Sequence, residues 1–377
     1  MKVVCAIPFW LVPLAEALAE KGHEVHHLWP VQGGGEYAHV TAIAGVDLKK
    51  ALLATNAAPE VTEEISRLAS HASMGARLFD GIVQLKPDAV VVGYTADPNG
   101  RAALAAAKHL NVPLIHVQHN CNALVPEDAW FLRDAPGDVV LAPGERDRQW
   151  WARCAPDAKV VVCGHPMWDA YATLQRGALL AGKPVVCWIA ESGANATQSP
   201  LVYQFKDAPE RAWQGFLGAI KLLKKDVRVV VKVRPMEDRA VIDRWVRDAE
   251  VAGLDAHVTD APCKEVLPWV DLVVHQQSNA GVEALHLGIP VVTLTRPGVT
   301  LLEKETPSLS ILSDQLECSL ADHIGYGLLG SELTPQKCRE IAAFHNAGID
   351  GGGMARTVAA IETAVAAPAF DRVLVAA

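Results

Sequence analysis

Short, continuous runs of β-branched and other apolar residues recur along the chain, and most are followed by a stretch with helical spacing. Lys2–Ile7 is the first run. Leu14–Lys21 follows with Ala, Leu and Glu at helical positions, Gly22 closes it, and Glu24–Trp29 is the next strand. The order repeats with Ala89–Gly93, the Ala-rich helix Arg101–Leu110 and the strand Val112–Gln118, and Asp138–Ala142 and Lys159–Cys163 add two more strands. Runs without polar alternation belong to strands buried on both faces, so the pattern predicts a parallel sheet with helices on each side. A break falls at Thr173–Lys183, and Gly182-Lys183-Pro184 restarts the alternation. Strands are predicted at Val185–Ile189 and Val227–Val233, with helices at Arg211–Lys225 and Ala240–Ala252; strands at His257–Thr259, Leu272–His275 and Pro290–Leu294 follow. The fold class is therefore α/β, with two doubly wound, Rossmann-like domains facing a central cleft. The expected boundaries are 1–175 and 183–345, with 346–377 a C-terminal helix that follows Gly351-Gly352-Gly353. Ligands of such domains sit at the carboxyl ends of the strands.

Composition narrows the picture. The chain has 377 residues, 50% of them hydrophobic and 20% charged, enough for a large core and inconsistent with a mostly disordered chain. A formal net charge of -9 argues against a long nucleic-acid footprint and leaves room only for a local basic channel. The 8 Cys show no C-x-x-C spacing and read as reduced, mostly buried thiols rather than a disulfide framework or a zinc site. No apolar run reaches the roughly 18 residues of a membrane span. Pro8 and Pro13 interrupt the apolar start, and Glu16, Glu20 and Lys21 follow at once, which suits a buried strand feeding a helix better than a leader peptide. A cytoplasmic protein is the expectation. Trp10, Trp29, Trp130, Trp150, Trp151 and Trp168 fall in the first domain and are read chiefly as packing, with one or two left to stack on an acceptor ring.

The most informative segment runs from His275 to Pro290. A strand there ends in a small polar turn, Ser278-Asn279-Ala280-Gly281, and a helix is predicted to begin around Gly281–Val282. Unpaired backbone N–H groups and the positive end of a helix dipole lie at such a turn, and small residues let a diphosphate approach. Glu283, placed on the first helical turn, offers a carboxylate for ribose hydroxyls. The same residues also read as an ordinary N-cap with a dipole-stabilising Glu.

This segment resembles the donor-binding signature of GT-B nucleotide-sugar enzymes: a small polar turn, Glu283-Ala284, then Gly288-Ile289-Pro290. Pro87–Gly93, Asn111–Val117, Pro126-Glu127-Asp128, Ala142–Arg146 and Val162–Asp169 resemble the non-hydrolysing UDP-N-acetylglucosamine 2-epimerases and their glycosyltransferase relatives. Val231–Pro235 resembles their Lys-x-(His/Arg)-Pro element, and the ordered set spans about residues 1 to 360. The resemblance implies a GT-B architecture, a last helix after Gly351-Gly352-Gly353 that packs across the domains, and a nucleotide-diphosphate sugar donor, with UDP the favoured nucleotide. The departures bear on the reaction. The Asp expected after Gly93 is replaced by Tyr94, the carboxylate after His116-Val117 is Gln118, and the basic element after the first second-domain strand is Trp188–Ser192. Epimerisation needs acids and bases that remove and return a proton at the sugar. Glycosyl transfer needs a held leaving group and one base. Three readings stay open: a glycosyltransferase, which is favoured; a UDP-N-acetylglucosamine 2-epimerase-type enzyme; and a non-catalytic nucleotide-sugar-binding protein.

Residue roles follow from this reading. Arg234 is the cation for the diphosphate, with Lys232 two residues earlier on the same strand. Ser278, Asn279, Ala280, Gly281 and Glu283 hold the donor, and His165, in the Gly164-His165-Pro166 turn, reads either as touching donor or acceptor or as part of a structural turn. The base is sought in a cluster of His119, Asp97 and Glu127, while His116 reads as a core histidine. Gly33-Gly34-Gly35 reads as an acceptor loop and Glu191–Thr197 as a lining of the donor phosphates. H-E-x-x-H, Walker A, EF-hand and Asp-x-Asp patterns are absent, so a metal-independent mechanism without a resident cofactor is expected, the UDP-sugar being a substrate. The acceptor stays open among a glycan, a lipid-linked sugar, a small molecule and a modified nucleic-acid base, and a homodimer stays open as well.

Overall fold

A computed structural model describes residues 1–7, 11–28, 75–95, 98–122, 125–126, 129–133, 136–177, 182–190, 208–223, 226–233, 239–276, 278–296, 301–330 and 333–367. The first part of the chain contributes β1 (Lys2–Ala6), α1 (Val12–Glu20), β2 (Glu24–His27), β3 (Ala89–Val92), α2 (Pro98–Leu110), β4 (Leu114–Val117), β5 (Val139–Ala142), α3 (Glu145–Cys154) and β6 (Val160–Val162). Its strands form a parallel sheet in the order β2-β1-β3-β4-β5-β6. The second part contributes β7 (Val185–Ile189), α4 (Ala208–Leu222), β8 (Arg228–Lys232), α5 (Arg239–Val251), β9 (Ala256–Thr259), β10 (Leu272–His275), α6 (Asn279–His286), β11 (Val291–Thr295), β12 (Ser308–Ser310) and α7 (Leu316–Leu328). These strands form a second parallel sheet, β12-β11-β10-β7-β8-β9. The last two helices are α8 (Pro335–His345) and α9 (Gly353–Ala366).

The two sheets share one logic. In the second, the chain steps outward from β7 to β9, then returns to place β10 on the other side of β7. In the first it turns back from β2 to lay β3 against β1. The direction of winding reverses between β7 and β10 and between β1 and β3, and in open sheets of this kind ligands bind beyond the carboxyl ends of such strands. Central strands such as β3, β4 and β7 are buried along their whole length, because helices cover both faces. The edge strands β2 and β9 carry His and Glu at exposed positions.

Two local differences from the sequence expectation have physical causes. Helix α6 begins at Asn279, two residues earlier than the small-residue pattern suggests, because Ser278 Oγ accepts a hydrogen bond from Ala280 N and caps the helix there. Glu283 consequently stands on the second turn. Strand β12 is three residues long and polar at both ends, so no apolar run announces it.

The segment after β6 and the end of the chain tie the parts together. Gly164 has φ +90°, and a Cβ there would lie 2.6 Å from the Gly348 amide nitrogen, so both conformation and space require glycine. Asp169 accepts hydrogen bonds from Gly353 N (2.7 Å) and Met354 N (2.8 Å), placing a carboxylate at the N-terminus of α9. Helix α9 then packs Val358, Ile361 and Ala364 against Val3, Ile115 and Val139 of the first sheet. Among the described residues no helix is long and apolar enough to cross a membrane. Cys5, Cys121, Cys154, Cys163, Cys187 and Cys338 are buried free thiols.

Candidate functional site

The turn between β10 and α6 lies at the winding reversal of the second sheet, and a buried imidazole shapes it from below. Ser278 N donates to His275 Nδ1 (3.2 Å), and His275 Nε2 lies 3.0 Å from Thr293 Oγ1. Thr293 Oγ1 lies 2.7 Å from Thr306 Oγ1, which donates to the Leu302 carbonyl (2.9 Å). A carbonyl only accepts, so the directions are fixed back to the ring: Nε2 carries the hydrogen and Nδ1 the lone pair. Burial lowers the His275 pKa to about 4 and keeps the ring neutral. A Cβ on Gly281 would lie 2.6 Å from His275 Cε1. Gly281 is therefore small to seat this ring, a reason separate from the close approach of an anion. Ala280 packs in the core of the second sheet. Of the amides in the turn, Ser278 N bonds His275, Gly281 N bonds Ser278 O (3.0 Å), and Ala280 N bonds Ser278 Oγ at a long 3.3 Å. Asn279 N has no hydrogen-bond partner among the described residues, and it stands at the positive end of α6.

Glu283 sits one turn further along. Its carboxylate, half-buried, accepts a hydrogen bond from the Tyr171 hydroxyl, with Cys263 and Trp168 beside it. Burial raises its pKa, against the pull of those donors and of Lys232. Burial and the neighbouring carboxylate raise the Tyr171 pKa, so the phenol stays a donor. Lys232 is buried rather than reaching into the cleft. Its Nζ donates to the Val233 carbonyl and, at 3.5 Å, to the Asp260 carbonyl. Arg234, the expected partner of the diphosphate, lies outside the described residues, as do Asp97, Glu127, Gly33-Gly34-Gly35 and Glu191–Thr197.

On the first-domain side, the loop after β4 presents His119. Its Nδ1 lies 2.5 Å from the Gly93 carbonyl and its Nε2 lies 2.9 Å from Asn120 Nδ2. The carbonyl requires hydrogen on Nδ1, so Nε2 holds the lone pair. Burial lowers the His119 pKa, and Tyr94 meets the ring edge-on at 6.4 Å. Gln118 anchors the loop. Its Nε2 donates to Asp147 Oδ1 (2.7 Å) and Asn120 O (2.6 Å), and its Oε1 accepts from Trp151 Nε1 (2.7 Å). Asp147 is wholly buried on α3 and accepts from Asn122 N (2.9 Å) as well, with Arg146 Nη1 at 3.4 Å. His116 is a core residue, 2% exposed, edge-on to Trp151, with its pKa lowered by burial to about 3. Trp150 and Trp151 are likewise packing residues.

The two sides meet. Asn279 Nδ2 donates to Asn120 Oδ1 (2.8 Å), and Cys121 N donates to Asn279 Oδ1 (3.1 Å). His165 forms a second link: its Nε2 donates to His119 O (2.9 Å), and its ring stacks on Trp168 at 4.3 Å, which stands beside Glu283. The structure thus brings His119, His165, Ser278–Gly281 and Glu283 into one neighbourhood at the carboxyl ends of both sheets, with Lys232 beneath it. Sequence reasoning did not assign Asn120, Asp147, Tyr171 or Cys263, and left Trp168 among the packing tryptophans. Tyr171 and Glu283 are 112 positions apart, and Gln118 and Asp147 are 29 apart. Their signal lies in the tertiary fold and in no local motif. Among the described residues no group of three His, Cys, Asp or Glu side chains is placed to hold a metal ion.

Comparison with known proteins fits this arrangement. The sequence profile of Glycosyltransferase Family 4 matches residues 11–187. The fold is shared with S. aureus MnaA, solved with UDP, at 15% identity, 96% coverage of each chain and a TM-score of 0.62. It is shared with the UDP-GlcNAc 2-epimerase of Methanocaldococcus jannaschii, solved with UDP-GlcNAc and UDP, at 14% identity and a TM-score of 0.59, covering 96% of this chain and 100% of that one. A calicheamicin glycosyltransferase has a TM-score of 0.57 at 15% identity, covering 97% of this chain and 99% of that one. No curated protein sequence matches the chain. The architecture is GT-B, two Rossmann-like domains facing a cleft, a fold this chain shares with the glycosyltransferase and the epimerases named above.

Proposed function

We propose that this chain of the GT-B superfamily is a glycosyltransferase that moves a sugar from a nucleotide-diphosphate donor, UDP-linked, to an acceptor hydroxyl without a metal ion. One observation carries the reading. The α6 turn at the winding reversal of the second sheet stands within hydrogen-bond distance of the loop that bears His119, through Asn279 and Asn120 at 2.8 Å. A donor phosphate on the turn and a base on the loop then act on the same small volume.

In this reading the diphosphate lies at the N-terminus of α6. Asn279 N–H and the helix dipole meet its charge, and Ala280 N–H exchanges its long bond to Ser278 for a phosphate oxygen. Arg234 supplies the cation. Glu283 turns its cleft side to the ribose, with Tyr171 yielding its place on the carboxylate. An acceptor hydroxyl displaces the Asn120 amide from His119 Nε2. The acceptor oxygen bonds the anomeric carbon, its proton passes to Nε2, and the carbon–oxygen bond to the diphosphate breaks to release UDP. Neutral His119 with a fixed lone pair suits the role at neutral pH. Asp97 and Glu127 are the carboxylates that share the duty around it. Gln118, standing where the epimerases carry a carboxylate, is committed to Asp147 and Trp151, which favours transfer over epimerisation.

The test is NMR of UDP-sugars with enzyme, with and without a panel of acceptors. Transfer requires UDP to appear only when an acceptor is present, and a His119→Gln variant to lose on the order of 10²–10⁴-fold in kcat while still binding UDP. Conversion of the donor to its C2 epimer in the absence of acceptor would assign the epimerase reaction instead. Binding of UDP without turnover of any donor would leave a non-catalytic binding protein.

A further inference from the structure

The carboxylate of Glu283 is already engaged by the protein. The Tyr171 hydroxyl donates to its Oε2, and Oε1 accepts no hydrogen bond from the described residues. Glu283 is half-buried and Tyr171 is 6% exposed. The phenol comes from the short 3-10 turn Asp169–Ala172, in the segment that joins the domains. Several contacts fix that turn. Asp169 accepts from Gly353 N and Met354 N at the start of α9, and Tyr171 N donates to Trp168 O (3.0 Å). The Tyr171 ring packs in the core of the second domain, 5.9 Å from the His286 ring. Away from Glu283 the hydroxyl has no partner among the described residues, and an unpaired buried hydroxyl is costly. Of the other groups beside the carboxylate, Cys263 offers a thiol, a weak donor, Trp168 stacks on His165, and Lys232 Nζ is turned to the Val233 and Asp260 carbonyls. Tyr171 is the resident donor of Oε2.

We infer that Tyr171 makes the nucleoside subsite indifferent to the ribose 2′-hydroxyl, so that the donor class extends from ribonucleoside to 2′-deoxynucleoside diphosphate sugars. The inference rests on the reading of Glu283 as the carboxylate that holds the ribose, and it deepens that reading by making Tyr171 a specificity-determining residue. A ribose offers two hydroxyls to a carboxylate, and a 2′-deoxyribose offers one. The first hydroxyl takes Oε1 and adds a bond. A second takes Oε2 by displacing the phenol, so one O–H···O bond replaces another and the Tyr171 hydroxyl is left without its partner. The balance of that exchange is near zero. A 2′-deoxynucleotide places its 3′-hydroxyl on Oε1 and leaves Tyr171 where it is, and neither carboxylate oxygen is left bare. Sites that reject an analogue lacking a hydroxyl do so because its absence leaves a buried polar group unpaired. The phenol removes that penalty here.

Calorimetry of the full chain with UDP and with dUDP, which differ in that one hydroxyl, is the test. Wild type is expected to bind the two with Kd values within about threefold of each other. In Tyr171→Phe the Oε2 oxygen stands open and only UDP can fill it. The two Kd values are then expected to separate by on the order of 10–100-fold, the worth of a hydrogen bond to a charged group. Removing one hydroxyl from the protein and one from the ligand forms a double-mutant cycle, whose non-additivity reports the competition for Oε2. The wild-type comparison uses no variant and stands even where Tyr171→Phe fails to fold. A wild type that prefers UDP by more than about threefold overturns the inference, and so does a Tyr171→Phe that binds both nucleotides alike. Glu283→Gln separates this failure from failure of the reading beneath it. Weakened binding of both nucleotides keeps Glu283 as the ribose carboxylate whatever Tyr171 does. Unchanged Kd values for both remove that reading, and the inference falls with it.

Discussion

Among the described residues five histidines are folded away from water: His116, His165, His275, His286 and His345 are between 0% and 5% exposed. Burial lowers their pKa values to about 3 for His116 and His345 and to about 4 for the other three. An unfolded histidine titrates near 6.5. Below that pH the unfolded chain binds protons that the folded chain refuses, so each group's contribution is complete above about pH 6.5 and is lost as pH falls toward its folded value. At pH 5.5 such a lowered pKa amounts to about 1 kcal/mol per group, and five such groups to on the order of 5 kcal/mol, a large part of the usual total stability of about 5–15 kcal/mol. Asp147 and Glu283 act with the opposite sign: their pKa values are raised by burial, and they favour the folded state as pH falls. His345 isolates the effect. Neither of its ring nitrogens has a hydrogen bond among the described residues, and Glu305 Oε1 lies 3.9 Å from Nε2. Urea unfolding of wild type and His345→Gln, followed by tryptophan fluorescence at pH 8 and pH 5.5, separates packing from titration, because each protein is compared with itself. The loss between the two pH values is expected to be smaller in the variant by about 1 kcal/mol. Equal losses in the two proteins, or a wild type as stable at pH 5.5 as at pH 8, would refute the reasoning.

Other substitutions address the site. Gly281→Ala drives a methyl to within 2.6–3.0 Å of the His275 ring and is expected to cost about 1–3 kcal/mol in thermal or urea unfolding, with much of the loss recovered in a His275→Ala background. Tyr171→Phe removes one donor from Glu283, and calorimetry is expected to give a Kd for UDP no weaker than wild type, whereas Glu283→Gln weakens it about tenfold or more. Parallel losses in both variants would mean that the carboxylate serves only the fold. Gly164→Ala combines a left-handed φ of +90° with a backbone contact of 2.6 Å and is expected to lower stability by about 2–4 kcal/mol.

The architecture was written in the order of apolar runs. Val185–Ile189 was placed to the residue, because a strand buried on both faces needs five consecutive apolar side chains and the chain supplies them between Pro184 and Ala190. The turn at Ser278 was legible for a similar reason: a buried strand, a capping hydroxyl and small residues are local features. What Gly281 accommodates was not, because the direction of the His275 ring is set by Thr293 and Thr306 on and beyond another strand. Glu283 was noticed, but its engagement by Tyr171 depends on how the segment after β6 crosses α6. Gln118 was seen as a departure from the epimerase pattern, yet its partner Asp147 stands on a helix the apolar pattern did not mark. Local periodicity fixes which segments are strands and helices. Which polar groups meet between them depends on packing over long sequence separations.

The central claim is that a nucleotide diphosphate sits on the N-terminus of α6. Titration of ¹⁵N-labelled protein with UDP, following the backbone amide of Asn279, tests it most directly. The account predicts a large, saturable shift of the Asn279 amide, accompanied by Ala280 and absent with uridine alone. Saturable UDP binding that leaves both amides unmoved would contradict it.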